Sequence, residues 1–162
     1  MNPDSPEPFW PIISPSRGEF VAVAVVGSVA GLLMALVSSL ITLYLSVIFC
    51  NSQEAVICDS IADAGYYIAL VLAMFLATII LINRGIYRPL LLTLLCLTVL
   101  WGLGSFTQGL WESNWWHYLT VIVIVTCIVH LVFYWLVRWR NLAASIGASI
   151  AVIIAAYWMI LV

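Results

Sequence analysis

The stretch FVAVAVVGSVAGLLMALVSSLITLYLSVIF, from Phe20 to Phe49, contains no charged side chain. A helix crosses about 30 Å of hydrocarbon with about 20 apolar residues, at about 1.5 Å per residue. This run is longer than that requirement, so a first spanning helix is predicted that tilts or projects beyond the bilayer. Four further stretches read the same way. Ile61 to Ile82 holds only Asp63, near its start. Pro89 to Thr107 is uncharged and Leu-rich, and Leu142 to Val162 is uncharged. His117 to Val137 is rich in β-branched residues and carries His130. Such residues favour strands in water, but in lipid each segment must satisfy its own backbone groups, so helices are predicted throughout.

The composition agrees. The chain of 162 residues is 65% hydrophobic and 7% charged. A soluble domain is about 45–50% apolar and about 25% charged, so a water-soluble globular fold and a disordered chain are both excluded. The net charge is -2, with five arginines and no lysine. That leaves no basic surface to neutralise phosphates, and nucleic acid is not an expected partner. The predicted fold class is all-α, a polytopic transmembrane bundle of five helices. It would have four if the C-terminal segment does not span.

Residues 1–19 are distinct from the single transmembrane domain predicted over 20–162. They hold Pro3, Pro6, Pro8, Pro11 and Pro15, and such a run cannot be helical. Phe9, Trp10, Ile12 and Ile13 form an apolar knot there, read as an interfacial anchor or a docking peptide. Ser16 and Glu19 have capping-box spacing, which predicts the start of the first helix. Asp59 and Asp63 are read as favourable charges at the start of the second. Arg17, Arg84, Arg88, Arg138 and Arg140 all fall on one side of this map, and Glu54, Asp59 and Glu112 on the other. The positive-inside rule then predicts a cytoplasmic N-terminus and an external C-terminus, in the cytoplasmic membrane of a bacterial-type cell.

Four groups of residues are candidates for function. Small residues recur every four positions in the first helix (Gly27, Gly31, Ala35, Ser39) and in the fifth (Ala143, Gly147, Ala151, Ala155). Each row makes a groove where another backbone can approach closely. The two helices are expected either to pack on each other or to offer one groove to a partner. His130 is the one ionisable side chain deep in a span, and such groups are candidate sites because burying their charge is costly. It shares a helix face with Cys127 and Tyr134, and Cys96 lies at a similar depth. The trio is read as an intramembrane polar site, with a soft metal or a proton or solute path as alternatives to a hydrogen-bonded neutral histidine.

Cys50 and Cys58 flank the first external loop and could form a disulfide there. No C-x-x-C pair occurs. Trp111, Glu112, Asn114 and His117 sit in an aromatic external loop, read as interfacial anchoring or outward recognition. No catalytic motif, phosphate-binding glycine loop or zinc-protease motif is present, and no cofactor is predicted. The expected function is therefore a non-enzymatic accessory or interaction protein, either a subunit of a membrane complex or an immunity or exclusion protein. The alternatives are a small oligomeric transporter or channel using His130, and a membrane redox protein using Cys50 and Cys58. The expected partners are the lipid bilayer and, within it, another protein or further copies of this chain.

Overall fold

The computed structural model describes residues 16–49, 55–104 and 114–161, with side chains described over 16–48, 60–104 and 114–158. The described residues form an all-helical bundle. Its helices are α1 (Arg17–Phe49), α2 (Ala55–Asn83), α3 (Pro89–Gly102), α4 (Trp115–Val137) and α5 (Leu142–Leu161). By length and composition α1, α2 and α4 can each cross a membrane. The 14 residues of α3 rise only about 21 Å, less than the hydrocarbon thickness.

The helix ends follow local chemistry. Ser16 caps α1, its Oγ accepting the Glu19 backbone N–H at 3.1 Å, as the capping-box spacing predicts. Asn114 Oδ1 accepts from Trp116 N at 3.0 Å, and Asn141 Oδ1 from Ala143 N at 3.0 Å, opening α4 and α5. The α2 terminus is a Schellman motif. Ile86 N donates to Leu81 O at 3.1 Å and Gly85 N to Ile82 O at 2.9 Å, while Gly85 sits at φ 65°. Pro89 occupies the first position of α3, where its missing N–H costs no helical bond.

Two boundaries differ from the sequence reading. α2 begins at Ala55 rather than Ile61, so Asp59 and Asp63 lie about one and two turns inside it rather than at its cap. α3 ends at Gly102 rather than Thr107. Glycine favours helices weakly, and the Tyr157 ring from α5 packs against Gly102 where a Cβ would overlap it.

The bundle is organised around α1, which packs along both α2 and α4. The α1–α4 pair is antiparallel and close. An ideal Cβ on Gly31 would lie 2.8 Å from Val123 Cα, and one on Gly27 would lie 3.0 Å from Cys127 Cα. The first-helix groove is therefore filled by α4. Of the two readings of the first and fifth helices, packing on each other is not what the described residues show: α5 rests on α3 and α4. α2 packs its buried Ala69, Ala73 and Ala77 into the bundle and is tied to α3 by two polar links. Tyr66 Oη donates to Leu100 O at 2.6 Å and Thr78 Oγ1 to Thr93 Oγ1 at 2.8 Å. Interhelical bonds of this kind in membranes contribute about 0.6 kcal/mol each.

The two glycine-bearing stripes give opposite predictions. Gly31→Ala forces backbone apart and should destabilise the bundle by about 1–3 kcal/mol. A Cβ on Gly147 meets nothing within 4 Å, so Gly147→Ala should leave the bundle as stable as before or slightly more so. Unfolding of both variants in mixed micelles by a denaturing detergent measures the difference.

Candidate functional site

The α1–α4 seam carries most of the buried polar chemistry, at three levels. At the arginine end, Arg138 is 3% exposed and pairs with Glu19, Nη1 to Oε2 at 2.5 Å. Tyr134 Oη donates to the same carboxylate oxygen at 2.8 Å, and Arg138 also donates to Tyr134 Oη. Tyr134 and Arg138 are four residues apart on α4, so they share a face and reach Glu19 together. At the opposite end, Ser38 Oγ and Tyr118 Oη share a hydrogen bond of 2.8 Å, and Trp115 Nε1 donates to Ser39 Oγ at 3.2 Å.

The middle level holds His130. Its side chain is 0% exposed, and Nδ1 lies 2.8 Å from the carbonyl of Thr126, one turn earlier. A carbonyl only accepts, so Nδ1 carries the proton and, in the neutral ring, Nε2 is left as an acceptor. Among the described residues no partner meets Nε2, and the Thr126 hydroxyl is likewise buried without one. The Cys127 thiol points to Ala24 O on α1 at 3.6 Å. The ring itself fits because Gly27 has no side chain: a Cβ there would lie 3.0 Å from His130 Cβ. Gly27 therefore serves both the helix contact and the histidine.

The remaining sequence candidates distribute as follows. Ala35 is buried, and Ser39 is buried with its hydroxyl donating to Ala35 O at 2.5 Å. Ala143, Gly147, Ala151 and Ala155 are all exposed. Cys96 is buried in α3 and free. Among the described residues no three His, Cys, Asp or Glu side chains gather in a group that could hold a metal ion, so Cys96, Cys127 and His130 do not form one. Asn114 is the α4 cap and His117 is exposed in the first turn of α4. The Cys50–Cys58 disulfide, Trp111 and Glu112 fall outside the described residues. The chain matches no protein-family model, no curated protein and no solved structure.

Several participants in this seam are not legible in the sequence. Spacing marks Glu19 only as part of the α1 cap, Tyr134 only as sharing a face with His130, and Arg138 only as one of the arginines that set the orientation. The available signal was an acid at the start of one helix and an i, i+4 Tyr–Arg pair at the end of another, both at the arginine side. Thr126 gave no signal, because a threonine one turn before a histidine is common in any apolar helix.

Removing the carboxylate charge with Glu19→Gln should destabilise the bundle by about 1–2 kcal/mol. That is the low side for a charged hydrogen bond, because the Glu19 side chain is 37% exposed and solvent screens the pair. Tyr134→Phe removes one donor and should cost less. Thermal unfolding of the two variants in detergent checks both the direction and the order.

Proposed function

We propose that this chain is a non-enzymatic accessory or interaction protein of the cytoplasmic membrane, docking a helix of a partner protein on the outer face of α5. The reading takes the arginine end as cytoplasmic and α3 and α5 as two further spans, with the C-terminus outside. A subunit of a larger membrane complex and an immunity or exclusion protein both belong to this class.

One contrast supports it. Exposed positions on the three long helices are mostly large, such as Leu32, Leu36 and Leu40 on α1 and Leu72, Phe75 and Ile79 on α2. Lipid tails need nothing more specific. The exposed face of α5 instead sets Ala143, Gly147, Ala151 and Ala155 beside a ridge of Ile146, Ile150 and Ile154. A groove of small residues beside a ridge of isoleucines is the relief that a second helix packs against, and close backbone approach is what drives association in lipid. α1 uses the same device for α4 inside the bundle.

The test is the mass of the particle after gentle solubilisation from the native membrane, with mass spectrometry of co-purifying chains. A defined hetero-complex is expected, and Gly147→Leu should weaken it at least tenfold, about 1.4 kcal/mol, without destabilising the free chain. A monomer, or a hetero-complex indifferent to Gly147→Leu, would contradict docking on α5. A particle of this chain alone would favour a second reading, a small oligomeric transporter, for which the buried His130 Nε2, unpartnered among the described residues, is the supporting feature.

A further inference from the structure

Three of the five arginines lie at one end of the bundle. Arg138 meets Glu19 at the start of α1, Arg140 follows two residues later, and Arg84 lines a cavity with Gly18 of the first α1 turn. Arg138 is neutralised by its carboxylate. Arg84 is exposed, and its side chain has no hydrogen bond or ion pair among the described residues.

The cavity beside Arg84 has a volume of about 290 Å³ and lies between the start of α1 and the end of α2. Gly18, Val21, Ala22 and Val25 line it from α1, and Ile80 and Arg84 from α2. It exists because Gly18 and Ala22 are small. A Cβ on Gly18 would meet nothing within 4 Å. The chemistry is graded along its length. Valine and isoleucine line the part nearer the bundle centre, and the guanidinium stands at the end of the helix. The first turn of α1 adds the positive end of its dipole at the same end. The nearest acid in sequence, Glu19, is engaged by Arg138 and Tyr134 on the α4 side of α1.

We infer that this cavity binds an anionic phospholipid, its phosphate on Arg84 and one acyl chain along Val21, Val25 and Ile80. An apolar groove open to lipid would take any acyl chain. The Arg84 cation at its mouth, unpaired among the described residues, is what selects a negative headgroup, and basic pockets between spanning helices bind such headgroups in this way. The inference does not depend on the docking role of α5, which uses another face of the bundle.

The test uses the full chain purified in a neutral detergent, with thermal unfolding read after adding dioleoylphosphatidylglycerol or dioleoylphosphatidylcholine. Phosphatidylglycerol should raise Tm by about 3–6 °C more than phosphatidylcholine, as a ligand that binds only the folded state does. Arg84→Gln should abolish that difference. Gly18→Leu should abolish it too, by filling the cavity where there is room for a side chain. Arg140→Gln, at the same end but outside the cavity, should keep it. Glycerol 3-phosphate and inorganic phosphate should have no effect. Equal shifts from the two lipids would overturn the inference, as would survival of the difference in Arg84→Gln or Gly18→Leu. Its loss in Arg140→Gln would reduce it to a general surface field, and an equal shift from free phosphate would replace the lipid with a small anion.

Discussion

Everything in this bundle depends on how closely α4 can approach α1. Apolar burial drives little association in lipid, where the surrounding tails are as apolar as leucine. What remains is dispersion between tightly apposed backbones, together with the polar contacts that such proximity permits. Gly27 and Gly31 supply that proximity, because a methyl group at either would run into the α4 backbone. Once the helices are that close, Glu19 reaches Arg138 at one end and Ser38 reaches Tyr118 at the other. The polar contacts then fix the antiparallel register, since sliding one helix along the other would break both ends together.

The remaining helices are added with less intimacy. α2 covers the other side of α1 with alanines and joins α3 through Tyr66 and Thr78. α5 is held by α3 and α4, with Tyr157 Oη donating to Thr98 O at 3.0 Å. Among the described residues nothing covers its outward face. The described residues thus hold one small-residue groove that is filled and one that is open, and the open one sits on the helix with the thinnest attachment. That arrangement suits a chain whose outermost helix is completed by another protein. It also leaves His130 enclosed by α1 and α4, where a change at Gly27 would reach it directly.

Hydropathy made the helices legible, and the helix ends at Asn83 and Val137 lie within one residue of the apolar boundaries. It failed where helix and hydrocarbon are different questions. α2 runs back through Asp59 to Ala55 because a helix can extend into the polar interface, whereas an apolar run cannot. α3 stops at Gly102 although the apolar run continues, because backbone preference and the Tyr157 ring act there rather than hydropathy. The groove on α1 was also legible, but not its occupant. Small residues announce that some backbone comes near. They say nothing of which one, and α4 fills the groove with Val123, Thr126, Cys127 and His130, a set with no small-residue pattern of its own. Glu19 shows the same limit. Its spacing from Ser16 revealed the cap, while its carboxylate serves a residue 119 positions away.

The α1–α4 register is the central claim, and a disulfide trap tests it most directly. In a chain whose only cysteines are native Cys127 and an introduced Ala24→Cys, mild oxidation in the native membrane should close an intramolecular bridge. The Cys127 thiol already lies 3.6 Å from the Ala24 carbonyl oxygen. The paired control, Cys127 with Gly147→Cys, should remain reduced within the chain. Efficient bridging of the first pair alone is the predicted result. No bridge at that pair, or equal bridging in the control, would contradict the seam on which the rest of the structure is built.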